Sequence, residues 1–282
     1  MNALAGVTVV SVALNLPGPA ALMRLRALGA RCLKVEPPDG DPMRQACPQA
    51  YAELHEGVEV VAADLKGEEG RTRLRALLAE ADVFLASFRP AALERLGFDW
   101  ATLHAAYPEL GMVSIVGSPG ADANLPGHDL TYVAEAGLLP ALDMPATLYA
   151  DMAGSLMASE AVLQAVIGGR SRGEGIFVEV ALSQAAGYVA LPLGWGLTSP
   201  GGLLGGGHAG YRIYACADGR VAMGALEPHF FQRLCAVAGL PSGTEPSDDS
   251  ACRHCAGFIA GLRCAEIEAL SRKHDLPLFV LG

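Results

Sequence analysis

From residue 6 to residue 117, short β-branched apolar runs alternate with segments whose apolar residues recur at helical spacing, and this alternation limits the folds open to the chain. GVTVVSVAL (6–14) reads as a buried strand, and ARCLKVE (30–36), VEVVAADL (58–65), DVFLASF (82–88) and GMVSIVG (111–117) as the strands that follow it. Between them lie PAALMRLRALG (19–29), with Pro19 at its entry and Gly29 at its exit, a charged helix over 68–81 and another near 91–106. Strands separated by single helices predict βαβ units, hence an α/β fold with a Rossmann-like parallel sheet covered on both faces. Such sheets bind ligands beyond the carboxyl ends of their strands. NLPGPA (15–20), EPPDGDPMR (36–44), SFRP (87–90) and GSPGADANLPGHD (117–129) stand there, so the site is expected among them.

A helix opening at Asp151 and running to 168, then the strand IFVEVAL (176–182), extend the series. LPLGWGLTSPGGLLGGGHAG (191–210) reads as an exit from the sheet domain. The expected organisation is a catalytic sheet domain over 1–189, a glycine-rich linker over 190–209 and a smaller α+β domain over 210–282. The last opens on a hairpin turning at Asp218–Gly219. The glycines of LLGGGHAG lack a strand–glycine–helix setting and do not predict a dinucleotide site.

Half of the residues (51%) are hydrophobic, enough for a sizeable core, yet no uninterrupted apolar run reaches the roughly 18 residues of a membrane span. With no leader pattern at the N-terminus, a cytoplasmic protein without a membrane partner is expected. Seven scattered cysteines suit reduced thiols better than a disulfide framework. Cys252 and Cys255 have C-x-x-C spacing around His254 but no second pair to complete four ligands, so no metal is expected. A net charge of −10 argues against nucleic acid and leaves room for an anionic small ligand where arginines gather.

Three residues stand out chemically, and each has a structural reading beside the functional one. Asp151 in LYADMAGSLM stands where a helix begins, as an N-cap or as a dipole-stabilised base or nucleophile. The small residues Gly154 and Ala158 would let a backbone or ligand approach it. His128 ends a loop that follows a strand, and Glu227 precedes Pro228 and a helix.

The ordered stretches GVTVVSVALNLPGPAALMRLRALGARCLKVEPPDGDPMR, AADLKGEEGRTRLRALLAEADVFLASFRPAALERLGFDW, YPELGMVSIVGS, PGHDLTYVAEAGLL, YADMAGSLM and RSRGEGIFVEVALSQAA cover nearly all of 4–186. Together they resemble the family III CoA transferases, the CaiB/BaiF superfamily. The resemblance implies acyl-CoA as substrate, coenzyme A entering with it and no permanently bound cofactor. It places the catalytic aspartate of A-D-x-x-G at Asp151. Gly127-His128-Asp129, Leu203–Gly207 and Gly224–Phe230 are similar to segments of the α-methylacyl-CoA racemase branch. That branch implies two-base epimerisation by Asp151 and His128, with Glu227 supporting His128 and helix amides after Asp151 assisting the enolate. A CoA transferase working through an Asp151 anhydride and thioester, and a diverged binding protein, are the alternatives. By motif position Asn15, Leu16, Pro17, Phe88, Arg89 and Arg95 would contact coenzyme A. A homodimer is expected, interlocked in relatives; the sequence ends after HDLPLFVLG, ahead of their return segment, which would leave that ring open.

Overall fold

The computed structural model describes residues 2–281 and divides between Ala190 and Leu191 into two compact units. The first unit begins β1 (Thr8–Ser11), α1 (Pro17–Ala27), β2 (Arg31–Glu36), α2 (Pro42–Ala46), α3 (Pro48–Leu54) and β3 (Glu59–Ala62). It continues with α4 (Glu68–Leu78), β4 (Val83–Ala86), α5 (Pro90–Leu96), α6 (Trp100–Ala106) and β5 (Gly111–Val116). It closes with α7 (Asp129–Glu135), α8 (Tyr149–Arg172), β6 (Phe177–Ala181) and α9 (Leu182–Val189). All six strands pair in parallel, in the order β3-β2-β1-β4-β5-β6.

The two-residue period of the strands sends alternate side chains to opposite faces. Val9, Leu85, Val113 and Ile115 meet Leu22 and Leu25 of α1 and Ala158, Ala161 and Val162 of α8 on one face. Val10, Leu33, Phe84 and Met112 meet Leu74, Leu78, Leu93 and Leu103 of α4, α5 and α6 on the other. By length and composition α8 resembles a membrane span, but its buried alanines and valines pack on the sheet as a core helix. The single helix expected near 91–106 is two. Gly97, at φ 75°, ends α5 in a left-handed conformation, and Asp99 Oδ1 caps α6 by accepting from the Thr102 amide at 3.1 Å.

A polar cluster fixes the start of the first loop. Lys34 is fully buried on β2, its ammonium among Asp41, Glu36 Oε1 (3.2 Å) and His55 Nε2 (2.8 Å). Burial lowers the His55 pKa, and a neutral ring with its proton on Nδ1 donates to the Tyr51 carbonyl (2.7 Å) while accepting from Lys34. Tyr51 Oη donates to Glu36 at 2.9 Å. Asp41 caps α2 by accepting from Met43 N (2.8 Å) and also accepts from Asn15 N at 3.1 and 3.2 Å. That holds Asn15 at φ 65°, a left-handed conformation asparagine tolerates.

The second unit contains α10 (Leu191–Gly194), β7 (Tyr211–Cys216), β8 (Gly219–Gly224), α11 (Pro228–Ala238), α12 (Asp249–Ala260), α13 (Cys264–His274) and β9 (Leu278–Leu281). Its antiparallel sheet has the order β7-β8-β9. Tyr214, Val221, Leu234, Cys255, Ile259 and Ile267 form its core. Residues 190–209, expected as linker, hold α10 and a tight turn over Leu203–Gly207. A Cβ on Gly205 would lie 1.9 Å from the Ser199 carbonyl oxygen, so glycine there lets backbone pack on backbone.

Replacing Lys34 by Met should leave Asp41 as a buried carboxylate without its cation, and Glu36 with Arg44 alone at 3.4 Å, and cost about 3–5 kcal/mol. Urea unfolding measures the loss, and amide exchange at Asn15 should rise with it.

Candidate active site

The strand order reverses between β1 and β4, and a cavity of about 410 Å³ opens beyond their carboxyl ends and that of β5. β1 delivers Leu14, Asn15, Leu16 and Pro17 to its wall, β4 delivers Ser87, Phe88 and Arg89, and β5 delivers Gly117. Gly127, His128 and Tyr132 line it from α7 and the residues before it, and Asp151 from α8. Seven expected site residues thus meet at one cavity: Asp151, His128, Asn15, Leu16, Pro17, Phe88 and Arg89.

Asp151 is not the N-cap. The capping position of α8 is Leu148, which makes no side-chain cap bond, and Asp151 is the third residue of the first turn. Its own amide is held from outside the helix: Asp129 Oδ1 accepts from Asp151 N at 2.9 Å. The other Asp129 oxygen, Oδ2, is buried with no hydrogen-bond partner among the described residues. Burial pushes the Asp151 carboxyl up to about 6, the negative charge of Asp129 adds to the rise, and His128 opposes it. A carboxyl in this range exchanges protons readily near neutral pH.

His128 is exposed and directly precedes α7, its amide donating to Thr131 Oγ1 at 3.1 Å. Tyr132 is a wall residue that the sequence did not single out. A Cβ would lie 2.1 Å from its hydroxyl at Gly117 and 2.3 Å at Gly127, so both glycines make room for the phenol. Burial raises its pKa and the Asp151 charge raises it further, keeping the O–H protonated. Of the helix amides after Asp151 expected to assist an enolate, the first, Met152 N, is committed to the Leu148 carbonyl at 3.0 Å, and the Asp151 amide itself is held by Asp129. Gly154 makes room for the chain rather than for a ligand, since a Cβ there would lie 2.3 Å from Leu182 Cδ2.

Arg95 lines a neighbouring recess of about 480 Å³ with Val12, Val35, Lys66 and Leu96. Phe88 forms part of both walls. Glu227 belongs to the second unit, exposed at the residue before α11 and making no side-chain cap bond. Cys252 and Cys255 lie on α12, with Cys255 fully buried in the core, and His254 bonds through Nε2 to the Ala238 carbonyl at 2.7 Å.

A switch-point cavity of a parallel sheet, lined by a carboxyl raised to about 6 and by an imidazole, is where this class of fold holds a small molecule. The chain belongs to CoA-transferase family III, whose pattern matches residues 4–275, as the resemblance implied. It is 30% identical over 266 residues to human alpha-methylacyl-CoA racemase, covering 88% of this chain and 68% of that protein. It is also 30% identical over 208 residues to cinnamoyl-CoA:phenyllactate CoA-transferase of Clostridium sporogenes, covering 66% of this chain and 50% of that one. The crystal structure of a hypothetical protein from Mycobacterium tuberculosis superposes with a TM-score of 0.86 at 25% identity, covering 100% of this chain and 85% of the other.

Because the Asp151 pKa is raised on folding, the native state binds the proton more tightly than the unfolded chain. Stability is therefore lost as pH rises from the ordinary carboxylate value of 3.8 through about 6. Asp151→Asn removes that cost, so at pH 7.5 the variant should melt no lower than the wild type, as thermal unfolding will show. Asp129→Asn keeps an acceptor for the Asp151 amide but removes the charge. The Asp151 carboxyl should then titrate below its wild-type value, read by carbon NMR.

Proposed function

We propose that the protein epimerises the α-carbon of an acyl-CoA thioester by two-base proton transfer, with Asp151 and His128 as the bases. The carrying observation is that both line one cavity and that the Asp151 carboxyl is tuned to about 6. An α-proton beside a thioester is weakly acidic, and its removal needs a base on each face for the two substrate hands. One base takes the proton, the electron pair moves into the thioester as an enolate, and the conjugate acid of the other base protonates the opposite face. The Tyr132 hydroxyl is the donor we assign to the thioester oxygen, where negative charge develops.

Coenzyme A enters as part of the substrate, with no other cofactor. Asn15, Leu16, Pro17, Phe88 and Arg89 would hold it at the cavity and Arg95 beside the adjoining recess, Arg89 and Arg95 facing its phosphates. The support of His128 by Glu227 rests on the motif alone. The homodimer rests on the resemblance, and exposed Ile213 and Phe279 on the second unit's sheet are apolar surface that a partner would cover.

A second reading is CoA transfer through Asp151 as nucleophile, favoured by the similarity to a named CoA-transferase. Incubation with each enantiomer of a 2-methylacyl-CoA in heavy water separates the two. The racemase incorporates deuterium at the α-carbon and inverts it; a transferase moves CoA to an added carboxylate without α-exchange; a diverged binding protein does neither. His128→Gln should lower inversion by about 10²–10⁴ while leaving wash-in from the hand that presents its proton to Asp151. Equal wash-in from both hands in that variant would remove the two-base assignment.

A further inference from the structure

Within the second unit, the end of β7, the β7–β8 turn and the start of α13 bring together Cys216, Asp218 and Cys264. Their donor atoms, one from each side chain, all lie within 4.8 Å of one another. We propose that these three residues form a binding site for Zn²⁺, with solvent as the fourth ligand.

The two sulfurs are 3.6 Å apart. Two thiolates at about 2.3 Å from one tetrahedral ion are separated by about 3.7–3.8 Å, so this pair bridges zinc with almost no movement. A disulfide would need closure to about 2.05 Å. The carboxylate is already oriented: Asp218 Oδ1 accepts from the Cys264 amide at 2.7 Å, and Arg263 Nε lies 3.3 Å from Oδ2. A Cβ on Gly219 would stand 2.9 Å from Cys264 Sγ and 2.8 Å from the Leu281 carbonyl oxygen, so glycine keeps the thiol pair uncrowded.

On binding, zinc takes both sulfurs as thiolates and releases two protons to solvent. Bound there, it ties the hairpin turn to α13, stabilising the folded unit by mass action.

The test uses the whole chain, reduced and stripped with a chelator. Zinc titration against a chromophoric chelator should show one equivalent bound, and Co²⁺ in its place should give thiolate-to-metal charge-transfer absorption. Zinc should raise Tm and protect Cys216 and Cys264, but not exposed Cys47, from iodoacetamide. Binding should be lost in C216S and C264S, weakened in D218N and unchanged in C252S. Because the alkylation pattern is read on the wild type, it does not depend on how the variants fold. Failure to bind saturably, survival of binding in C264S, absence of protection, or a Cys216–Cys264 disulfide in protein prepared with zinc would each overturn the site.

Discussion

Everything at the site hangs on the loops after β1 and β4 leaving the sheet toward opposite faces. β1 feeds α1, whose Leu22 and Leu25 pack on one face, while β4 feeds α5, whose Leu93 packs on the other. Between two loops parting in this way the strand ends are left uncovered, and the crevice belongs to the topology, whichever side chains line it. What the sequence adds is the lining. Four residues after β1 and three after β4 reach the wall, and α7 and α8 then bring His128 and Asp151 to it.

The strands could be read in the sequence because each is a short, largely apolar run between helical segments, although β3 lies at the sheet edge and is mostly exposed. Three things could not be read, each for a physical reason. Asp151 in an A-D-x-x-G stretch has the same local pattern as N-cap or as third helical residue; the difference is a backbone angle at Leu148. Asp129 looks like an ordinary first-turn acid, and its bond to the Asp151 amide exists only once segments 22 residues apart meet. Lys34 sits in a strand pattern that gives no hint of full burial, because its partners Asp41 and His55 arrive from α2 and beyond α3, two short helices without strong periodicity.

The residues the family resemblance points to largely share one cavity, and their roles there follow from which of their groups are free to act. The resemblance placed Asp151, His128 and most of the expected coenzyme A contacts at one cavity, but it also suggested helix amides as enolate donors. The first of those amides, Met152 N, is taken within the helix, and the Asp151 amide before it by Asp129. In the epimerisation we propose, the donor is therefore a side chain, Tyr132, whose hydroxyl fills the space beside two glycines at the cavity wall. Motif position carries identity along the chain; hydrogen-bond accounting decides which of those groups still has capacity to act.

The fold holds buried charge in two different ways, and the contrast separates scaffold from chemistry. Around Lys34, Asp41 and Glu36 accept from the ammonium, from backbone amides and from Tyr51, and His55 is kept neutral between a donor and a carbonyl. Such a network is rigid because no member has an unmet bond, and rigidity suits a loop that must present Asn15 in a left-handed conformation. At Asp129 the balance is left open. One oxygen is spent on the Asp151 amide, the other has no partner among the described residues, and the neighbouring carboxyl is held up at about 6. A scaffold would gain stability by satisfying that oxygen or by losing the second acid. Keeping both means the folded state tolerates a destabilised carboxylate where a substrate proton would have to be taken and returned, and that cost falls on Asp151 itself.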